Sequence, residues 1–183
     1  MNNMAPAKKA TGKGTEDDFT ISWVFNAPRD KLFRAWTEPD QFKKWYGPRH
    51  FTVPVARMEL RPGGAYFSCM RSPDGRDFCS IGVVKDVKAP ERLAYTDSFA
   101  DKDGNPIPSS KLGMDPSWPE NVLVEVTISE QGPMSKVTVR MGVPRSLAER
   151  NMVQQGWAES FVKLADYLEK GRESGKRPPA GTE

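Results

Sequence analysis

The chain has 183 residues, 37% hydrophobic and 28% charged, with 27 basic against 24 acidic side chains. That length fits one domain with a sizeable core, and the composition excludes a disordered or collagenous chain. No apolar run approaches the roughly 20 residues of a membrane span, no basic stripe marks a nucleic-acid binder, and residues 1–18 hold no apolar core of a signal peptide, so a cytoplasmic setting is expected.

Residues 1–17 and 171–183 have the composition of flexible tails, leaving a folded unit over 18–170. Phe19, Ile21, Trp23 and Phe25 alternate as a half-buried strand. Pro28 opens a short helix with Leu32, Phe33 and Trp36 on its apolar face, and Thr37-Glu38-Pro39-Asp40 starts a second, capped by Thr37 and ended by Gly47-Pro48. From 50 to 142 the pattern is strands and turns. Segment 50–60 places Phe51, Val53 and Val55 on one face, Pro62-Gly63-Gly64 turns, and 65–72 and 76–88 form a hairpin around Ser72-Pro73-Asp74-Gly75. Strand 91–99 follows Pro90, and 100–120 is a long loop with Pro106, Pro108, Pro116 and Pro119. Val122, Val124, Val126 and Ile128 alternate, as do Val137, Val139 and Met141. Ser146-Leu147-Ala148-Glu149 is a capping box, and Val153, Trp157, Phe161, Leu164 and Leu168 then recur at helical spacing over about 24 residues, roughly 36 Å. Consecutive strands joined by short turns are antiparallel. The expected architecture is α+β: an antiparallel sheet of about six to seven strands curved around one long C-terminal helix.

That order, with Phe25-Asn26-Ala27-Pro28, Phe33-Arg34-Ala35-Trp36-Thr37-Glu38-Pro39, Trp45-Tyr46-Gly47-Pro48, Pro62-Gly63-Gly64, Pro73-Asp74-Gly75, Pro90-Glu91-Arg92-Leu93 and Gly156-Trp157, resembles the START-like (SRPBCC) superfamily with its helix-grip fold. The closer resemblance is to the branch named after the activator of the heat-shock-protein-ninety ATPase. It spans residues 19 to 170. It implies a hydrophobic cavity between sheet and helix, and members that bind apolar ligands, assist chaperones in the stress response or, in a few cases, catalyse. No catalytic set carries over. Trp23 and Ser68 depart from the residue types common at their positions, which alters the interior lining.

The residues themselves offer little for catalysis. His50, the one histidine, sits before a strand and reads as a surface residue. Cys69 and Cys79 lie on the two arms of one hairpin; with a four-residue turn, Cys69 faces Phe78 and Cys79 faces Ser68, which places the thiols on opposite faces and makes a bond between them geometrically poor. Asp97, Asp101, Asp103 and Asp115 suggest a calcium loop, but counting from Asp101 the EF-hand glycine and glutamate positions hold Pro106 and Leu112. No metal or cofactor is expected.

The remaining signal is aromatic and sulfur-bearing side chains facing the long helix. The expected ligand-binding set is Trp23, Tyr66, Met70, Tyr95, Phe99, Arg140, Trp157 and Phe161, with Met114 and Trp118 on a lid formed by 100–120. Tyr66, Tyr95 or Arg140 would orient a small apolar or amphipathic molecule, with no chemistry required. The alternatives are a chaperone co-regulator, weakened because only about 18 residues precede the domain, and a cavity enzyme of cyclase or hydrolase type using His50 or a carboxylate such as Glu59. A monomer or homodimer fits either.

Overall fold

The computed structural model describes residues 18–143 and 146–174. The expected N-terminal tail, 1–17, lies outside these residues, as do 175–183 of the expected C-terminal one. The elements run β1 (Asp18–Phe25), α1 (Arg29–Thr37), α2 (Pro39–Phe42), β2 (Thr52–Met58), β3 (Ala65–Arg71), β4 (Asp77–Lys88), β5 (Arg92–Ala100), a 3-10 turn (Ser109–Leu112), β6 (Val122–Gln131), β7 (Met134–Gly142) and α3 (Leu147–Ser174). Among the described residues seven strands form one antiparallel sheet, ordered β1-β7-β6-β5-β4-β3-β2, so β1 and β2 are its edges. This is the helix-grip architecture, with α3 crossing the concave face.

Local chemistry explains the element ends. Pro28 accepts the first α1 bonds from Lys31 and Leu32 N–H. The helix stops after Thr37 because Glu38 precedes Pro39 and is extended (φ −89°, ψ 117°). Thr37 does not cap α2; its hydroxyl donates back to Phe33 O at 2.8 Å, and Glu38 stands at the cap position instead. At α3, Glu149 N–H donates to Ser146 Oγ at 3.2 Å, half of the expected capping box.

The core lies between the concave face and the helices. Phe161 and Leu164 of α3 and Val84, Val137 and Val139 of the sheet are fully enclosed. An aromatic stack fills the middle of the grip: Trp157 lies 5.7 Å from both Trp36 and Phe161, and Phe161 meets Phe25 edge-on at 5.6 Å. Each such ring removes 150–250 Å² from water, which makes this stack the energetic centre of the domain.

Two expectations about register fail. Cys69 pairs directly with Cys79, Cα atoms 4.0 Å apart, and the two form a disulfide. The hairpin loop contains five residues, not four: Ser72 N–H bonds Arg76 O, and Arg71 pairs with Asp77. The extra residue moves the pairing by one and brings both thiols to the convex face, beside Val55, Phe67, Ile81 and Ala100. In β2 an irregularity between Thr52 and Val55 breaks the alternation, so Val53 and Ala56 point inward while Val55 joins the convex cluster.

The convex face carries a line of alternating charges across five strands. Arg140 reaches Asp18 at 2.6 Å and Glu125 at 3.4 Å; Arg92 reaches Glu125 at 2.7 Å and Asp86 at 3.1 Å.

Candidate functional site

Strand parity decides which side chains face α3. On β5 the inward series is Leu93, Tyr95, Asp97, Phe99; on β4 it is Phe78, Ser80, Gly82, Val84; on β3 it is Tyr66, Ser68, Met70. Deep in the grip this face is closed, with Val84, Leu93 and Val126 at 0–1% exposure. Toward the end of the sheet next to the first turns of α3 it is not: Met70, Phe78, Ser80, Asp97, Phe99 and Met141 all remain partly accessible although they point inward. Partial access on inward-facing groups marks a recess between sheet and helix.

The floor of the recess is polar. The Tyr66 hydroxyl bonds Ser68 Oγ at 2.7 Å, and the Tyr66 and Tyr95 rings lie 4.9 Å apart. Tyr46, from the turn after α2, stacks on Phe42 at 4.3 Å and meets Trp157 edge-on at 5.9 Å. Burial raises the Tyr66 and Tyr95 hydroxyls well above the usual phenol range and raises Tyr46 as well, and the Asp97 carboxylate adds to the rise in all three. All three therefore remain neutral hydroxyls at any physiological pH. Burial also pushes the Asp97 carboxyl up to about 6, held back in part by the Ser80 hydroxyl. The other carboxylates with a resolved shift are lowered instead, by side-chain amides, cations, hydroxyls or backbone N–H groups.

Beside Asp97 the two strands run unusually close together. Between the pairs Ile81↔Ser98 and Val84↔Tyr95, Val83 N–H donates to Thr96 Oγ1 at 2.9 Å, and a Cβ built on Gly82 would stand 1.6 Å from Thr96 O. Only glycine permits β5 to approach β4 this closely.

The loop 101–121 closes over the rim. Trp118 meets Phe99 edge-on at 5.6 Å and donates from Nε1 to Glu149 Oε2 at 3.1 Å. Asp115 N–H reaches the other Glu149 oxygen at 3.3 Å, and the buried Ser109 hydroxyl holds Asp115 O at 2.8 Å. The Glu149 side chain thus serves the loop rather than the Ser146 N–H that a full capping box would give it. On the other side of the mouth, Lys163 directs Nζ at the carbonyls of Tyr46, Gly47, Pro48 and Phe51, all within 3.1–3.3 Å, which fixes the turn bearing Tyr46. A second cleft of about 390 Å³ lies between β1 and the start of α3, lined by Phe19, Ile21, Leu147, Arg150, Asn151 and Gln154.

The structure places Trp23, Tyr66, Met70, Tyr95, Phe99, Trp157 and Phe161 on the inner side, with Trp118 and the half-buried Met114 on the loop. Trp157 and Phe161 belong to the filled centre of the grip. Arg140 is on the other face: it sits between the inward Val139 and Met141, and its guanidinium is engaged by Asp18 and Glu125. An arginine one position out of phase with the buried valines cannot orient a ligand inside. His50 is exposed, with φ +68°, and the exposed Glu59 pairs with Arg61 at 2.7 Å. Neither faces the recess. Asp101 caps its own turn, accepting from Asp103 and Asn105 N–H, each at 2.9 Å. Sequence reasoning missed Asp97 as a site residue, although its place between Tyr95 and Phe99 on an apolar alternation was the available signal.

A family model described as Activator of Hsp90 ATPase homolog 1-like protein matches residues 26–169. A comparison with curated proteins finds no match. Among solved structures, a crystal structure of a Nitrosomonas europaea protein superposes with a TM-score of 0.71 at 22% identity, covering 88% of this chain and 99% of that one. A Chromobacterium violaceum protein gives 0.69 at 23%, covering 85% and 99%. The crystal structure of the AHSA1 protein from Silicibacter pomeroyi gives 0.67 at 20%, covering 84% and 99%. At these identities the likeness extends to the fold alone.

Proposed function

The chain belongs to the family of activator of Hsp90 ATPase homolog 1-like proteins, and from that membership we propose that it binds a small amphipathic molecule in the recess between the concave wall of the sheet and the first half of α3. The observation that carries this reading is the partial accessibility of Met70, Phe78, Asp97 and Phe99, all of which point inward. An apolar wall with a few convergent polar groups is the usual make-up of a small-molecule site. Burial of ligand surface supplies the drive, at roughly 25 cal/mol per Å² before the costs of association. Tyr66, Tyr95 and Asp97 give the floor its polar points, and Trp118 closes the rim. Nothing in this role calls for a bond to be made or broken.

The test is native mass spectrometry of freshly purified protein, followed by a titration with octan-1-ol monitored by amide NMR. A co-purified small molecule, or octanol shifts centred on β3, β4 and β5 next to the recess, supports the reading. Shifts confined to the β1–α3 cleft or to the convex face overturn it. The family's description favours a second reading, regulation of a chaperone ATPase through an exterior surface. Stimulation of that ATPase by a protein whose recess holds no ligand would decide for it.

A further inference from the structure

We infer that the recess selects a molecule whose polar end is a protonated amine, held by the Asp97 carboxylate among the hydroxyls and rings of Tyr46, Tyr66 and Tyr95; this rests on the recess being the ligand site. Asp97 points inward from β5 with Tyr95 on one side and Phe99 on the other. Its neighbours from the surrounding elements are Tyr66 on β3, Ser80 and Gly82 on β4, Val122 on β6 and Tyr46 after α2. None is cationic.

The basic side chains nearest the grip are committed elsewhere. Lys163 is taken by four backbone carbonyls. Arg92 and Arg140 lie on the convex face in the charge ladder. Arg76 lies over the Phe78 ring at the hairpin tip, 5.2 Å from its centroid, and donates to Leu112 O. Among the described residues Asp97 is the carboxylate that burial raises with no cation to offset it. A carboxylate carried inside a fold without a countercharge is costly, and a cation brought by the ligand removes that cost.

The geometry favours an ammonium over other polar ends. An ammonium carries three donors and no acceptor, which suits a carboxylate with tyrosine and serine hydroxyls able to accept. The Tyr66 and Tyr95 rings, tilted 48° to each other, add attraction for a cation at their faces. A carboxylate head group would meet Asp97 as a like charge, and an alcohol would leave the charge uncompensated. The chain's net charge of +3 works against nonspecific capture of a cation elsewhere.

The experiment compares three probes with one tail, octylammonium, octan-1-ol and octanoate, by calorimetry and amide NMR on the full chain. The expected result is octylammonium binding about tenfold or more tightly than either of the others, with shifts at Tyr95, Asp97 and Phe99. Asp97→Asn should erase that preference, and Glu169→Gln, on the exposed side of α3, should leave it intact. If octanol and octanoate bind at the recess as well as octylammonium, the amine inference is wrong and the ligand site stands. If the preference survives Asp97→Asn, the amine inference is likewise wrong. If no probe binds, the ligand site itself falls, and the inference with it. The ranking of the probes on the unmodified protein decides the question even where Asp97→Asn does not fold.

Discussion

Asp97→Asn should stabilise the protein above neutral pH. The substitution keeps size and shape and removes the charge. Asp97 rises from 3.8 to about 6 in the folded state, a difference of about 3 kcal/mol at most. Asp97 as a residue is half-buried, which trims the expected gain to about 2 kcal/mol, or roughly 4–8 °C in a domain of this size. Because the folded pKa lies above the unfolded one, the native state binds the proton more tightly. Below about pH 4 both states are protonated and Asp97 costs nothing; stability is lost as pH rises from 4 through 6, and the full cost is present from pH 7 upward. Thermal melts of wild type and variant from pH 4 to 8 isolate this term, since Asp77, lowered to about 2 by Arg71 and Lys102, and the other carboxylates are common to both. The two proteins should melt together at pH 4 and diverge by pH 7, the variant higher. A variant that melts lower at every pH, or a gap that does not change with pH, refutes the assignment of Asp97 as an uncompensated inward charge.

Phe161→Ala should cost about 3–5 kcal/mol and at least as much as Trp157→Ala, because Phe161 is fully enclosed while Trp157 keeps 9% exposure; urea unfolding of the two variants compares them. Lys163→Met and Lys163→Arg should both lower the urea midpoint, since a planar guanidinium cannot offer one point donor to four converging carbonyls; an arginine variant as stable as wild type would contradict this. Gly82→Ala should destabilise by several kcal/mol or prevent folding, read by circular dichroism, because its methyl meets Thr96 O. Glu149→Ala should speed amide exchange across 109–118 without changing exchange in the buried half of α3; unchanged exchange in the loop would mean that Phe99 alone anchors Trp118.

Element types and order were legible because apolar alternation in β1, β6 and β7 and the helical stripe of α3 are long and regular, and because Pro-Gly and Asp-Gly turns mark the boundaries. What escaped turns on single residues. Arg76 lengthens a loop by one and brings both cysteines to the same face of the hairpin. The irregularity at Val53–Val55 breaks a pattern that otherwise reads as simple alternation. Arg140 is legible by parity, one position out of phase with Val139 and Met141, and that alone sets it on the outer face. Asp97 groups by spacing with Asp101, Asp103 and Asp115, whereas its place in the Tyr95–Phe99 series fixes it inward. The closeness of Tyr46, Tyr66 and Asp97 could not be read at all, because it brings together a turn and two strands far apart in the chain.

The outer face of the sheet bears on how freely the inner one can change. A strand that lines a recess with serine, glycine and aspartate loses the usual penalty against sliding by one residue, since little apolar surface is misplaced when it slips. Here the alignment is held from behind: Asp18, Arg140, Glu125, Arg92 and Asp86 tie β1, β7, β6, β5 and β4 in sequence, and Cys69–Cys79 bolts β4 to β3. Each ion pair alone contributes little, but a slip would misalign the whole row at once. Interior positions such as Ser68, Ser80 and Met70 are therefore exchangeable without loss of strand alignment, and the scaffold can be refitted to a different guest by substitutions on one face alone.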